Sequence, residues 1–137
     1  MSLLGLDLGT KTLGLALSDK TNTIASPYKT LTFKKIEDVL PELTTLIESK
    51  KIEKLILGYP KNMNNSLGLA IERTNQFKEL LEKNFKLPII LIDERLSTIE
   101  AEKILIATDM SREKRKKVID AYAASIILDT YLKESRD

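Results

Sequence analysis

The spacing of apolar residues changes character once along the chain, and that change constrains the fold more than any other feature. Before Lys34 there are three strand-like runs: Leu3 to Leu8, Leu13 to Ser18 and Tyr28 to Phe33. A tight turn over Gly9 to Thr12 separates the first two, and a longer polar connection over Asp19 to Ser26 precedes the third. Three successive strands joined this way form an antiparallel meander. From Lys34 onward Ile36, Val39, Leu40, Leu43, Leu46 and Ile47 recur at the three-and-four spacing of an amphipathic helix that ends near Lys51. Pro41 either kinks that helix or marks its boundary.

Short apolar runs then alternate with helical patterns. Lys54 to Gly58 is a buried strand, Tyr59 to Ser66 a polar loop, and Leu69 to Asn84 a helix. Leu87 to Ile92 is a near-continuous apolar strand of the kind buried on both faces in parallel sheets. Ser97-Thr98-Ile99-Glu100 has capping-box form and opens a helix towards Thr108, while Ser111 caps the last and longest helix, ending near Glu134. The expected architecture is α/β: a mixed five-stranded sheet, three antiparallel strands then two parallel ones, flanked by helices on both faces. A chain of 137 residues fits one domain, spanning 1–137.

Composition then limits the chemistry. The chain has no cysteine and no histidine, which removes disulfides, thiolate nucleophiles, serine-histidine hydrolysis and nitrogen- or sulfur-ligated zinc. Carboxylates, lysines, hydroxyls and backbone groups remain. Residues 1–9 lack the basic segment of a secretory signal, and no apolar stretch reaches the ~20 residues that span a bilayer. The expectation is a cytoplasmic protein with no membrane partner. Net charge is only +2, but it is unevenly placed: Arg112-Glu113-Lys114-Arg115-Lys116-Lys117 holds five cations in six positions.

Three acids stand where acids are costly. Asp7 interrupts the apolar run Leu4-Gly5-Leu6-Asp7-Leu8-Gly9, and a carboxylate there needs a cap, a cation or a metal. A turn whose backbone N–H groups donate to Asp7 would satisfy it as well. Asp93 and Glu94 lie at the C-terminal end of a buried strand, the edge where open α/β sheets place ligands; a surface ion pair with Arg95 is the plainer reading. Asp120 heads the helical stripe Asp120, Ala123, Ala124, Ile127 and Tyr131, whose two alanines let the helix approach the sheet closely.

Acids that converge without basic partners repel one another, and hard divalent cations relieve that repulsion. Such a site, holding Mg²⁺ or Mn²⁺, suits metal-assisted phosphodiester hydrolysis, which requires no histidine. The cationic run fits the same reading. Arg112, Lys114, Arg115, Lys116 and Lys117 occupy the first turns of the last helix, where the macrodipole disfavours positive charge. They form either a solvated face or a phosphate-binding surface upstream of Asp120, which Lys11 and Arg95 extend.

Four ordered motifs resemble the YqgF or RuvX family of the RNase H-like superfamily, relatives of RuvC resolvases. They are Gly5 to Lys11 with Gly14, Ala16, Ser18 and Asp19; Gly58-Tyr59-Pro60-Lys61-Asn62-Met63; Asp93-Glu94-Arg95-Leu96-Ser97-Thr98; and Ile119-Asp120-Ala121-Tyr122-Ala123-Ala124. The resemblance implies an RNase H-like fold and a divalent-metal nuclease. Its proposed role is maturation of the 5′ end of the small-subunit (16S) ribosomal RNA precursor, with resolution of branched DNA the older proposal. By motif position the family's acidic triad falls on Asp7, Glu94 and Asp120, with Asp93 a substitute for Glu94, and Asn62 falls in the nucleic-acid-binding set. Asn64-Asn65 replaces the family's usual Asp-Gly, so the acid of that loop is missing.

Two other classes compete with the nuclease. Asp7-Leu8-Gly9-Thr10 before a hairpin also resembles the phosphate loop of actin-like ATPases and sugar kinases, but one domain supplies only half of their cleft. A non-catalytic module would bind nucleic acid, the ribosome or its assembly factors through the basic run alone. A monomer or weak homodimer is expected in either state.

Overall fold

The computed structural model describes residues 2–60, 68–93, 103–104, 106–107 and 111–134, without the side chains of Lys116 and Lys117. Five strands are present: β1 (Ser2–Leu8), β2 (Thr12–Ser18), β3 (Ala25–Thr32), β4 (Ile52–Tyr59) and β5 (Ile89–Asp93). They form one sheet in the order β3-β2-β1-β4-β5. The β1–β2 and β2–β3 pairs are antiparallel, and β1–β4 and β4–β5 are parallel. This is the expected meander extended by two parallel strands, and the two crossovers that parallel pairing demands are helical.

A short 3₁₀ turn over Ile36–Val39 leads into α1 (Leu40–Lys50), so Pro41 marks a boundary. At the start of an α-helix proline loses nothing, because the first N–H groups have no intrahelical acceptor. Next come α2 (Gly68–Asn84) and α3 (Arg112–Glu134). Residues 103–104 and 106–107, within the stretch expected to be helical after Ser97, are helical; the rest of that stretch lies outside the described residues.

Alternation along the strands sends side chains to two cores. Leu4, Leu6, Leu13, Leu15, Leu55 and Leu57 pack with Val39, Leu43 and Leu46 before and within α1 and with Phe77 and Leu81 of α2. On the other face Leu3, Ala16, Ile56 and Ile92 pack with Ala124, Ile127, Leu128 and Leu132 of α3. The sheet is therefore a middle layer. Asp7 shares the α3 face with Leu3 and Gly5, although its neighbours Leu6 and Leu8 belong to the opposite core.

Helix α3 lies directly on the sheet backbone. A Cβ on Gly5 would stand 2.9 Å from the Ala124 carbonyl oxygen, and one on Gly14 would stand 2.0 Å from that of Asp120. Neither glycine has a positive φ, so both are needed for closeness and not for an unusual backbone.

Candidate active site

The site grows from the β1–β2 hairpin. Strand β1 ends at Leu8, Gly9 donates its N–H to the Thr12 carbonyl at 2.8 Å, and β2 returns from Thr12. The pairing register sets Asp7 opposite Gly14. Asp7 is only 8% exposed and is one of three buried polar or charged residues among those described, with Ser18 and Thr74. Because Gly14 has no side chain, the backbone of Asp120 sits over it, and one pair of strands brings the two acids to the same patch of the α3 face.

Thr12 fixes the second acid. Its hydroxyl donates to Asp120 Oδ2 at 2.6 Å, a short charge-assisted bond that aims the carboxylate and leaves Oδ1 outside it. A Cβ on Gly9 would lie 2.8 Å from Thr12 Oγ1, so the tight turn and the threonine depend on each other. The stripe expected behind Asp120 is in place: Ala123, Ala124 and Ile127 are buried, and Tyr131 packs on the same core.

Of the remaining expected site residues, Lys11 is exposed in the hairpin turn. Asp93 ends β5 paired with Tyr59, at the sheet edge where β1 also ends. Ile92 belongs to the α3-side core, so alternation sends Asp93 to the opposite face from Asp7. Asn62, Glu94 and Arg95 lie outside the described residues. Ser111 caps α3 as expected, accepting from the Lys114 N–H at 3.3 Å. Arg112 and Lys114 are exposed on the first turn, Arg115 is half-buried, and Lys116 and Lys117 follow on the same helix. About 12 Å of helix separates Arg112 from Asp120.

The sequence alone did not single out Thr12, because a threonine opening a strand is ordinary. Gly14 carried a weak signal: with Gly5 and Ala16 it makes a side-chain-poor patch on one face of two paired strands.

The family described as "RuvX: Holliday junction resolvase" matches residues 1–134. The chain belongs to the RuvX family. Curated relatives agree over nearly the full length. A protein of Bacillus subtilis (strain 168) named "Putative pre-16S rRNA nuclease" is 49% identical over 134 residues, covering 96% of this chain and 97% of its own. A protein of the same name from Geobacillus kaustophilus is 45% identical over 138 residues, covering 99% and 100%. Among solved structures, Thermus thermophilus RuvC in complex with Holliday junction substrate aligns at a TM-score of 0.62 and 12% identity, over 99% of this chain and 96% of that one. Fowlpox virus resolvase with junction DNA aligns at 0.53 and 17% identity over 100% of both. These two neighbours establish the RuvC-type, RNase H-like fold of this RuvX chain.

Proposed function

We propose that this RuvX protein is a divalent-metal-dependent endonuclease that trims the 5′ end of the small-subunit ribosomal RNA precursor, acting as one RNase H-like domain over residues 1–137. The observation that carries the reading is the seating of Asp120 over Gly14, the strand partner of Asp7, with the Asp120 carboxylate aimed by Thr12. A buried acid beside a second acid is a poor arrangement for stability and a good one for a cation. The names of the relatives supply the substrate class.

The donor set fits Mg²⁺ or Mn²⁺. With neither histidine nor cysteine, the chain's natural metal donors are carboxylate oxygens, and Asp7 and Asp120 stand on a strand and a helix. Asp7, Asp120 and Glu94 would hold the ion. When bound it supplies an activated water and charge stabilisation at the leaving oxygen. The chain's own part is to hold the carboxylates in register: β1 fixes Asp7, and Thr12 with the close seat of α3 fixes Asp120. Asp93 is the weaker candidate for the third ligand, because it belongs to the opposite face of the sheet.

The basic turn of α3, with Lys11, Arg95 and Asn62, gives the sequence-independent hold on phosphates that such a substrate needs. The test is cleavage of precursor RNA with and without divalent metal, beside Asp7→Asn and Asp120→Asn. Metal-dependent cleavage by the wild type and loss of it in both variants are expected. Equal rates in the variants would overturn the assignment. A second reading, resolution of four-way DNA junctions, is favoured by the family description and is tested in the same assay with a junction substrate. Cleavage of neither substrate would leave a nucleic-acid-binding assembly factor. A cytoplasmic location follows from the proposed substrate; among the described residues no helix is long and apolar enough to cross a membrane.

A further inference from the structure

A cleft of about 470 Å³ opens at the same sheet edge as the acids, lined by Lys11, Thr12, Thr32, Phe33, Lys34 and Asp38. Thr12 belongs to both places: it lines the cleft, and its hydroxyl holds Asp120. The cleft is firmly built. Phe33 donates its N–H to the Lys11 carbonyl at 3.0 Å, tying the start of β2 to the end of β3. Asp38 Oδ2 accepts the backbone N–H groups of Lys34 at 3.2 Å and Lys35 at 3.0 Å, which fixes the backbone from which the Lys34 side chain projects. Asp38, the one acid among the described residues of the wall, is thereby engaged by backbone donors, while Lys11 and Lys34 are exposed cations.

Phe33 is half-buried: it packs with Leu8 and Ile36 against the core on the α1–α2 side of the sheet, and at the sheet's end it lines both the cleft and a second, smaller hollow with Gly9, Arg73 and Gln76. Arg73 contributes a cation to the lining of that hollow, and its buried Nε has no hydrogen-bond partner among the described residues. An aromatic residue thus stands between two hollows with cations on both sides.

We propose that this cleft is the track for a single strand of nucleic acid, its phosphates on Lys11 and Lys34 and one base stacked on Phe33, leading the strand past Thr12 to the acids. This rests on the nuclease reading of Asp7 and Asp120. Cations that follow a backbone around an aromatic platform are how proteins hold unpaired strands, whereas a duplex offers no free base face to a ring set in a cleft. The track lies at the ends of β2 and β3, the strands on which α3 also packs, so it and the basic turn of α3 hold neighbouring parts of a substrate that is single-stranded at the cut.

The test is fluorescence anisotropy with a labelled single-stranded RNA of about ten nucleotides, and with the duplex of the same sequence, in metal-free buffer over a range of salt. The Lys11→Gln/Lys34→Gln double variant is expected to bind the single strand roughly tenfold more weakly and to lower the salt slope by about 1.4, the loss of two phosphate contacts. Phe33→Leu is expected to weaken single-strand binding by roughly tenfold at unchanged slope and to leave duplex binding alone, while Phe33→Tyr restores it. Lys83→Gln, at the far end of α2, serves as the unchanged control. An unaltered slope in the double variant, or equal weakening of single strand and duplex by Phe33→Leu, would overturn the proposal. Because binding is read without metal, wild-type protein that binds through the cleft but cuts nothing sinks the nuclease reading alone. Protein that cuts normally while the double variant binds as wild type sinks the track alone.

Discussion

Gly14 is the residue on which the geometry of the acids turns, since it separates Asp7 on one strand from Asp120 on the helix above. Replacing it with alanine places a methyl carbon 2.0 Å from backbone that has no room to give, so α3 must lift from the sheet. The expected cost is at least about 2 kcal/mol of stability, read from urea unfolding, with cleavage falling further than stability because Asp120 moves with the helix. Thr12→Val isolates the other device. It keeps the shape and removes the donor to Asp120 Oδ2, and a hydrogen bond to a charged group of this kind contributes about 1.5–3 kcal/mol. Activity should drop while the fold survives, which circular dichroism beside a cleavage assay will show. Asp7 and Asp120 were legible in the sequence because each broke a local pattern, an acid in an apolar run and an acid leading an alanine stripe. Thr12 broke no pattern, and its role exists only once the helix has docked.

Helix α3 opens with a run of cations against the unfavourable end of its own dipole, so its start depends on Ser111. Ser111→Ala should cost about 1 kcal/mol in chemical unfolding and fray the turn that carries the basic residues. The β2–β3 connection is held by an acid instead. Asp19 accepts from the Thr21 hydroxyl at 2.6 Å and from the N–H groups of Thr23 and Ile24 at 2.7 and 3.0 Å, bonds that lower its pKa from 3.8 to about 2. Its folded pKa lies below its unfolded one, so its contribution is present above pH ~4 and fades as pH falls from ~4 towards 2. Asp19→Asn should flatten that part of the stability-against-pH curve, measured by thermal unfolding across this acid range. Elements with a sustained period were readable from sequence, and their ends less so. Strand β3 begins at Ala25, three residues before the run that starts at Tyr28, because pairing with β2 extends it past where apolar pattern gives any signal. Strand β5 starts at Ile89 and reaches Asp93, two residues after and one beyond the expected Leu87 to Ile92, since Pro88 lacks the N–H of a ladder residue.

At the scale of the molecule, parallel β1, β4 and β5 all end at one edge of the sheet, where the β1–β2 hairpin and the end of β3 also lie. The antiparallel and parallel pairings were readable because successive strands without helices favour a meander and strands separated by helices favour crossovers, whereas the order β3-β2-β1-β4-β5 came from the structure. The cleft beside Thr12 was not readable either, since it forms only where the start of β2, the end of β3 and the turn before α1 meet. Gathering acids at that edge sets catalysis against stability, and this yields a test of what Asp7 is for. If Asp7 served the hairpin alone, Asp7→Asn would lower the stability of the metal-free protein by weakening its hydrogen bonds. In a cation site the same change removes a buried charge next to a second acid, so metal-free stability should hold or rise, as often happens when a functional site is dismantled. Saturating Mn²⁺ should then separate the two proteins. At about a hundredfold over its dissociation constant an ion that binds only the folded state adds about 2.7 kcal/mol. For a domain of this size that is a rise in melting temperature of roughly 5–10 °C. The wild type should show that rise and lose it on chelation, while Asp7→Asn should show little of it. A variant less stable without metal, and shifted by Mn²⁺ as far as the wild type, would return Asp7 to a purely structural role in the turn.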